Sequence, residues 1–350
     1  MSISIIMAGG GTAGHTSPLL ATAEQVAKLD PTARVSCIGT PKGLETRVIP
    51  EAGLGLELIK PVPLPRSITP ELFSVPLRLA QAVAEAKAIL RRATADVVVG
   101  FGGYVSLPAY LAALQLRIPV VLHEQNAMPG LANKIAARFA ALVAVSFPAT
   151  PLPKAVYLGL PMRAAIAWLD RASAQSAARL RFGLPEAGKV LLVSGGSQGA
   201  RSLNTAAIGA REELLAAGIS ILHLLGSANF NDDAQLVHSS GAVYLPLGYL
   251  DRMQDAYAAA DLMLGRSGAG TVMETAMVGL PTVFVPLPHG NGEQARNADF
   301  LLRAGAALLV ADAELNAESL LGQVRGLFAD PGRLETMSRK ARELVPSDAA

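Results

Sequence analysis

Short runs rich in Val, Ile and Leu alternate along this chain with longer Ala-rich segments of helical period. The series begins "SISIIMA", "ATAEQVAKL", "ARVSCIGT" and continues "ADVVVGFGG", "IPVVLHEQN", "ALVAVSF". Runs that are apolar throughout suit strands buried on both faces, and the helices between them predict parallel βα units. After Arg163 a polar helical stretch over 169–182 leads to "KVLLVSGGSQGARSLN", which repeats the opening order of strand, Gly-rich turn and helix. A second series follows: "ISILHLLG", "AVYLPLG", "DLMLGRSGAG" and "PTVFVPLP". The pattern predicts an α/β protein of two doubly wound domains, about 1–160 and 161–335, with the ligand in the cleft between them. In open α/β sheets ligands bind outside the C-terminal strand ends, where these loops cluster.

Composition narrows the class. A chain of 350 residues is long enough for two ordinary domains, and 51% hydrophobic with 17% charged residues describes a well-buried globular protein. Thirty basic and 28 acidic side chains leave a net charge of +2, which gives no support for a nucleic-acid binder. A single cysteine, Cys37, excludes an intrachain disulfide framework and suits a reducing cytosol. No basic segment or long apolar stretch precedes "ISIIMA", so a secretory signal is not expected. No run of 18 uncharged apolar residues appears, so a membrane span is not expected either, although docking on a membrane stays open.

Candidate chemistry sits in the loops. In "MAGGGTAGHTSP" (7–18), Gly9, Gly11 and Gly14 fit the dinucleotide fingerprint G-x-G-x-x-G. That fingerprint calls for an acidic residue at the end of the second strand to hold a ribose, yet the strand ends Gly39-Thr40-Pro41, which argues against a redox dinucleotide. The glycines still allow close approach to a phosphate or sugar at a helix N-terminus. Ser17 and Pro18 read as an N-cap and N1 pair, placing His15 just before the helix. The positive helix end would keep that imidazole neutral, as a general base must be; the alternative is an exposed loop histidine. "GFGGYVSLP" (100–108) is a second Gly-rich turn, in which Tyr104 is either packed or functional. "LHEQN" (122–126) ends a strand in four polar residues. Glu124, Gln125 and Asn126 could orient a sugar or an acceptor hydroxyl, or form a structural hydrogen-bond network.

In the second half, "GGSQG" (195–199) matches the hydrolase elbow G-x-S-x-G, with His289 as the best-placed base, since His223 lies in a strand and His238 in a polar loop. The same segment makes a phosphate nest around Ser197, and two domains that each open with such a loop favour the nest. In "RSGAGTVMETAMVGLP" (266–281), Glu274 is either the end of a Thr271-x-x-Glu274 capping box or an acceptor for two ribose hydroxyls. "PLPHGNGEQARNA" (286–298) offers Glu293, Gln294 and Asn297 to sugar hydroxyls. No two aspartates stand two apart, so a D-x-D metal site is missing, and neither metal nor cofactor is expected.

Together "GGGTAGHTSP", "GFGGYVSLPA", "VVLHEQNAMPGLANK", "GLPMR", "VSGGSQGARSLN", "RSGAGTVMETAMVGLP" and "PHGNGEQARNA" closely resemble the bacterial MurG family, in order from about residue 5 to 305. These are the N-acetylglucosaminyltransferases that convert lipid I to lipid II in peptidoglycan synthesis. The resemblance implies a GT-B fold, two Rossmann-like domains facing across a cleft. It implies inverting, metal-independent transfer of GlcNAc from UDP-GlcNAc to the C4 hydroxyl of undecaprenyl-diphospho-MurNAc-pentapeptide. The alternative is a related GT-B enzyme acting on another lipid or small-molecule acceptor. Carried over by position, the donor contacts fall on Thr12, Ala13, Gly14, Asn126, Arg163, Ser197 and Gln198. They continue at Leu250, whose backbone would read uracil, at Ala269, Gly270, Thr271, Val272, Met273 and Glu274, and at Gln294. His15 corresponds to the proposed base, Tyr104 to a residue near the acceptor, and Glu124 joins them as a catalytic candidate. Other members have Thr-Gly-Gly where this chain has Thr12-Ala13-Gly14, and some have Gln-Gln at Glu293-Gln294. The N-terminal domain would bind the acceptor, and a helix at about 336–350 is a candidate to pack back on it.

Residues 60–92 hold six basic and two acidic side chains, a local charge of +4. Leu72, Phe73, Val75, Leu77 and Leu79 crowd beside Arg66 and Arg78, and Pro76 is expected to interrupt helical period over 70–79. "LANKIAARF" adds Lys134 and Arg138. An apolar patch of Leu72 and Phe73 rimmed by Arg78, Lys134 and Arg138 suits an anionic leaflet, whereas most of 80–90 reads as an amphipathic helix packed on the sheet. The resemblance likewise implies a peripheral enzyme on the cytoplasmic face of the bacterial cell membrane, with cell-wall synthesis proteins as candidate partners.

Overall fold

The computed structural model describes residues 2–62, 74–231, 234–289 and 292–350. The chain divides into two units at Arg163/Ala164, and Asp348–Ala350 group with the first.

The first unit is built on seven strands: β1 (Ser4–Ala8), β2 (Arg34–Gly39), β3 (Gly55–Leu58), β4 (Val97–Gly100), β5 (Val120–Glu124), β6 (Leu142–Val145) and β7 (Ala155–Tyr157). They pair in parallel in the order β3-β2-β1-β4-β5-β6-β7. Among the described residues the helices between them are α1 (Ala13–Leu29), α2 (Glu45–Glu51), α3 (Val75–Arg92), α4 (Ser106–Leu116) and α5 (Leu131–Ala136). The five residues of β1 are all buried because successive side chains enter opposite cores. Ile5 and Met7 meet Leu19 of α1 and Ile49 of α2, while Ile6 and Ala8 join Ala82, Ala86 and Ala109 from α3 and α4. That two-sided burial is why the strand reads as an unbroken apolar run. Strand order reverses between β1 and β4, so the loops after these two strands meet at the switch point of the sheet.

The second unit repeats the scheme. Helices α6 (Ala164–Ala167) and α7 (Arg171–Arg181) precede β8 (Lys189–Ser194), α8 (Arg201–Gly209), α9 (Arg211–Ala216), β9 (Ile219–Leu224), β10 (Leu236–Val237) and β11 (Val243–Leu247). Then come α10 (Met253–Ala259), β12 (Leu262–Gly265), α11 (Ala269–Met277), β13 (Thr282–Phe284), α12 (Glu293–Arg303), β14 (Leu308–Leu309), α13 (Ala317–Phe328) and α14 (Pro331–Glu343). The order is β10-β11-β9-β8-β12-β13-β14, with β10 alone antiparallel to its neighbour. The switch point here lies between β8 and β12. Arg179 of α7 fastens the base of this sheet. It is 3% exposed, reaches both oxygens of Asp261 at 3.0 and 2.8 Å, and bonds the carbonyls of Ala259, Glu186 and Gly188.

Two expectations are corrected. Helix α1 starts at Ala13 with Thr12 as N-cap, so Pro18 lies inside it and His15 sits in its first turn rather than before it. Pro18 forgoes only the bond that would reach back to the Gly14 carbonyl, close to the helix start, where the sequence signal of Ser17-Pro18 is easily overridden. Pro76 opens α3 instead of interrupting a segment, as a proline in the first turn loses no hydrogen bond there. The C-terminal helix forms as α14, capped by the Asp330 carboxylate on the Arg333 N–H, and packs on α11 and α13, while the residues at the chain end, Asp348–Ala350, group with the first unit.

Candidate active site

The first glycine loop is held by a carboxylate that the sequence did not single out. Glu45, the buried first residue of α2, accepts the Gly11 N–H at 2.7 Å through Oε2 and the Thr40 N–H and hydroxyl at 3.0 and 2.9 Å through Oε1. Burial alone would raise its pKa, but the Gly11 and Thr40 donors prevail and hold the carboxyl below its usual range. A Cβ on Gly10 would stand 2.4 Å from Glu45 Oε1, which is why that position is glycine. The acid missing at the end of β2 is thus supplied six residues after Gly39 and is turned onto the chain's own backbone.

His15 projects from the first turn of α1, half-buried, beside the loop that follows β4. Gly102 and Gly103 each adopt φ +83°, and a Cβ on Gly102 would come within 3.2 Å of the imidazole Cε1. Two glycines therefore form the wall on which the ring lies. Its Nδ1 is 3.0 Å from Gln125 Oε1. The Gln125 amide nitrogen lies 2.8 Å from the His123 carbonyl oxygen and 3.0 Å from His123 Nδ1, and His123 Nε2 is 2.8 Å from the Gly159 carbonyl oxygen. His123 is buried, and that burial pushes its pKa down to about 4.

The polar end of β5 divides its labour. Glu124 is 2% exposed and accepts the N–H groups of Asn126 and Gly130 at 2.9 and 3.0 Å and the Asn133 amide at 2.9 Å. Burial raises its pKa against the pull of those donors. Asn133 in turn accepts the Tyr110 hydroxyl at 2.9 Å. Glu124 therefore shapes the turn into α5 and takes part in a hydrogen-bond network there. Tyr104, by contrast, is 52% exposed, and Asn126 and the first-loop residues Thr12, Ala13 and Gly14 remain at least partly accessible, as does Arg163.

In the second unit the loop after β8 leaves Ser197 and Gln198 exposed just before the N-terminus of α8. No histidine bonds Ser197 among the described residues; His223 lies inside the core with Nδ1 on the Tyr244 hydroxyl and Nε2 on Asn204 Oδ1. The elbow reading lacks its base. The loop after β12 leads into α11, whose N-cap is Gly268, so Thr271 falls at the third helical position and Thr271-x-x-Glu274 is no capping box. Glu274 Oε2 instead accepts the Tyr257 hydroxyl at 2.7 Å. Ser267, fully buried beside that helix start, has a hydroxyl with no hydrogen-bond partner. Val272 and Met273 are fully buried, so their side chains belong to the core and only their backbone is left to meet a ligand. Ala269, Gly270, Thr271 and Leu250 are partly buried. Gln294 Oε1 accepts the Leu287 N–H at 3.0 Å, while Asn297 is buried with its amide on the Ser267 carbonyl at 3.2 Å and is not placed for a sugar.

Arg266, unremarked in the sequence, ties this end of the sheet together. Its guanidinium reaches the carbonyls of Val285 and Pro286, the Ser202 hydroxyl and the Asp312 carboxylate. An arginine directly after an apolar strand was the available signal. Among the described residues no group of three His, Cys, Asp or Glu side chains is placed to hold a metal ion, and no helix is long and apolar enough to cross a membrane.

Residues 5–145 match the model of the glycosyltransferase family 28 N-terminal domain, and residues 190–349 that of its C-terminal domain. The UDP-N-acetylglucosamine--N-acetylmuramyl-(pentapeptide) pyrophosphoryl-undecaprenol N-acetylglucosamine transferase of Cutibacterium acnes is 57% identical, covering 99% of this chain and 95% of that protein. The transferase of the same name from Nocardioides sp. is 53% identical over 99% of this chain and 94% of its own length. Among solved structures, Acinetobacter baumannii MurG superposes with a TM-score of 0.77 at 30% identity, covering 99% of this chain and 96% of that one. CalG4, the calicheamicin glycosyltransferase, shares the fold at a TM-score of 0.68 and 17% identity, over 99% of this chain and 95% of its own. The two units, their parallel sheets and their glycine loops are those of a GT-B glycosyltransferase, and the chain belongs to the MurG family within glycosyltransferase family 28.

Proposed function

We propose that this chain transfers N-acetylglucosamine from UDP-N-acetylglucosamine to the C4 hydroxyl of undecaprenyl-diphospho-MurNAc-pentapeptide, lipid I, with inversion and without a metal ion, forming lipid II. The observation that carries this reading is 57% identity, over 99% of the chain, to a transferase named for that donor and that acceptor.

The chemistry follows from the residues. Attack on an anomeric carbon needs a base, a stabilised leaving group and alignment of the two reactants. The acceptor oxygen bonds the anomeric carbon, its proton passes to His15, and the bond to the β-phosphate oxygen breaks. UDP departs with the negative charge. The N-termini of α8 and α11 and the amides of their loops, around Ser197, Gln198, Ala269, Gly270 and Thr271, stabilise that charge. Glu274 accepts the ribose hydroxyls, the Leu250 backbone reads uracil, and the Gln294 amide N–H groups, whose oxygen is already engaged, donate to the GlcNAc hydroxyls. Tyr104 and Asn126 contact the reacting sugars. Attack on the face opposite UDP turns an α-linked donor into a β-1,4 product.

The acceptor's lipid anchor requires a docking surface. In the first unit α3 and α5 both pack on α4, which sets them on one side of the sheet. They expose Leu77 and Leu131, 66% and 54% accessible, together with Arg78 and Lys134, and Arg138 is exposed just after α5. Apolar side chains rimmed by cations suit an anionic leaflet and support peripheral binding at the cytoplasmic face. Leu72 and Phe73, the other members of the expected patch, lie outside the described residues.

The decisive assay follows labelled GlcNAc from UDP to a lipid I analogue. A β-1,4-linked disaccharide lipid is the expected product. No transfer to that acceptor, with transfer to a different isoprenoid or sterol, would overturn the acceptor assignment.

A further inference from the structure

Gln125 stands between two histidines, and its amide can be satisfied in one way only. A carbonyl oxygen can only accept, so His123 Nε2, 2.8 Å from the Gly159 oxygen, carries a hydrogen. Burial keeps His123 neutral, and its one ring hydrogen is thereby spent; its Nδ1 is a bare lone pair. The group that meets that lone pair at 3.0 Å is the Gln125 NH₂, which also donates to the His123 carbonyl at 2.8 Å. Turning the amide over would set Gln125 Oε1 against two acceptors at once. The oxygen must therefore face His15, 3.0 Å from Nδ1, and it too can only accept.

We infer that Gln125 is a positioning residue that locks the His15 imidazole in the tautomer bearing hydrogen on Nδ1, leaving the Nε2 lone pair for the acceptor's proton. This rests on the reading of His15 as the base. Neutral imidazole side chains in water favour the opposite tautomer, with hydrogen on Nε2, which is blocked at the nitrogen that would take the proton. Gly102 and Gly103 lie beside the ring, where an added Cβ would come within 3.2 and 3.5 Å of it. When Nε2 gains the acceptor's proton, the imidazolium keeps its Nδ1–H on Gln125 Oε1, so no hydrogen bond is rearranged during the transfer. An amide cannot pass a proton onward and His123 stays neutral, so the proton leaves again from Nε2. Glu124, lying between these residues in sequence, is committed to the α5 turn and plays no part in this chain of bonds.

The test is nitrogen NMR of the full chain with ring-labelled histidine, combined with kinetics of Gln125→Met, a near-isosteric change that abolishes both donor and acceptor. In the native protein His15 should show a protonated Nδ1 and a bare Nε2. In Gln125→Met the hydrogen should move largely to Nε2, and kcat should fall about 10- to 100-fold, a fraction of the worth of general base catalysis, with donor KM unchanged. A native His15 protonated on Nε2, or a tautomer indifferent to Gln125→Met, would overturn the inference, and the native spectrum alone decides it if the variant fails to fold. Full turnover by His15→Ala would sink the assignment of the base while leaving the measured tautomer in place, so the two failures are distinguishable.

Discussion

Truncating His15 to Ala removes a half-exposed ring that lies on glycine backbone, so the fold should survive while the acceptor hydroxyl loses its base. Turnover should drop by roughly 10²–10⁴, the usual worth of general base catalysis, with UDP-GlcNAc affinity nearly intact by calorimetry. Unchanged turnover would remove His15 from the mechanism. Glu274→Gln separates recognition from structure in another way. A glutamine oxygen can still accept the Tyr257 hydroxyl, and there is no capping box to lose, so the melting temperature should hold while donor KM rises. A lowered melting temperature with KM unmoved would make Glu274 structural. At this scale sequence identifies a residue's chemistry but not the direction in which it points. Glu124, at the end of β5, and Asn297, in α12, are polar residues in segments the sequence marks as functional, yet both turn onto backbone, and Val272 and Met273 fall on the inner face of α11. The network was visible in sequence only as an excess of polar residues at the end of one strand.

Glu45 joins the first glycine loop, the end of β2 and the start of α2 with three hydrogen bonds, so its ionisation is a matter of how elements hold together. Its carboxyl is held below the usual range, and the sign follows. The stabilisation is complete above the pKa of the unfolded chain and is lost as pH falls through the folded value. Glu45→Gln should therefore cost about 1–3 kcal/mol at neutral pH, the range for hydrogen bonds to a charged group. The difference from the native chain should shrink as pH is lowered from about 5 to 3, near the carboxylate range. Denaturant titrations at several pH values measure this, and a difference that does not vary with pH would show that the charge is not used. Interior strands such as β1 and β8 were legible because two-sided burial writes itself as a continuous apolar run. Edge strands β3, β7, β10 and β14 were not, being two to four residues long and partly exposed, and defined mainly by a neighbour's hydrogen bonds. The start of α1 was misplaced for a related reason: a good local signal at Ser17-Pro18 lost to a glycine turn that begins the helix sooner.

For the whole molecule, two units, each built on a seven-stranded sheet, were readable from a repeated strand, glycine turn and helix, since each unit closes its own core. The membrane expectation belongs here too. The chain should bind vesicles containing anionic lipid and release them with salt. Arg78→Glu with Arg138→Glu should weaken that binding by more than about 10-fold, because each cation near such a surface contributes about 1 kcal/mol. Binding that survives both changes in a folded protein would place the contact elsewhere.

Glu45 also bears on which molecules the first unit ignores. A glycine turn with vacant amides is an indiscriminate trap for phosphates, and cells are crowded with ATP, reduced nicotinamides and inorganic phosphate. Here the Gly11 amide already has an anion of the chain's own, tethered and undiluted. A soluble competitor for that amide would have to displace a carboxylate whose effective concentration is set by a connection of a few dozen residues. The Gly11 amide resonance should stay silent when the protein is titrated with inorganic phosphate, and should begin to move in Glu45→Ala. A native Gly11 signal that responds to phosphate would mean that the built-in anion yields. An inhibitor designed as a phosphate mimic therefore has its opening at the amides of α8 and α11, whose first turns hold no acidic residue and whose N-caps make no side-chain hydrogen bond.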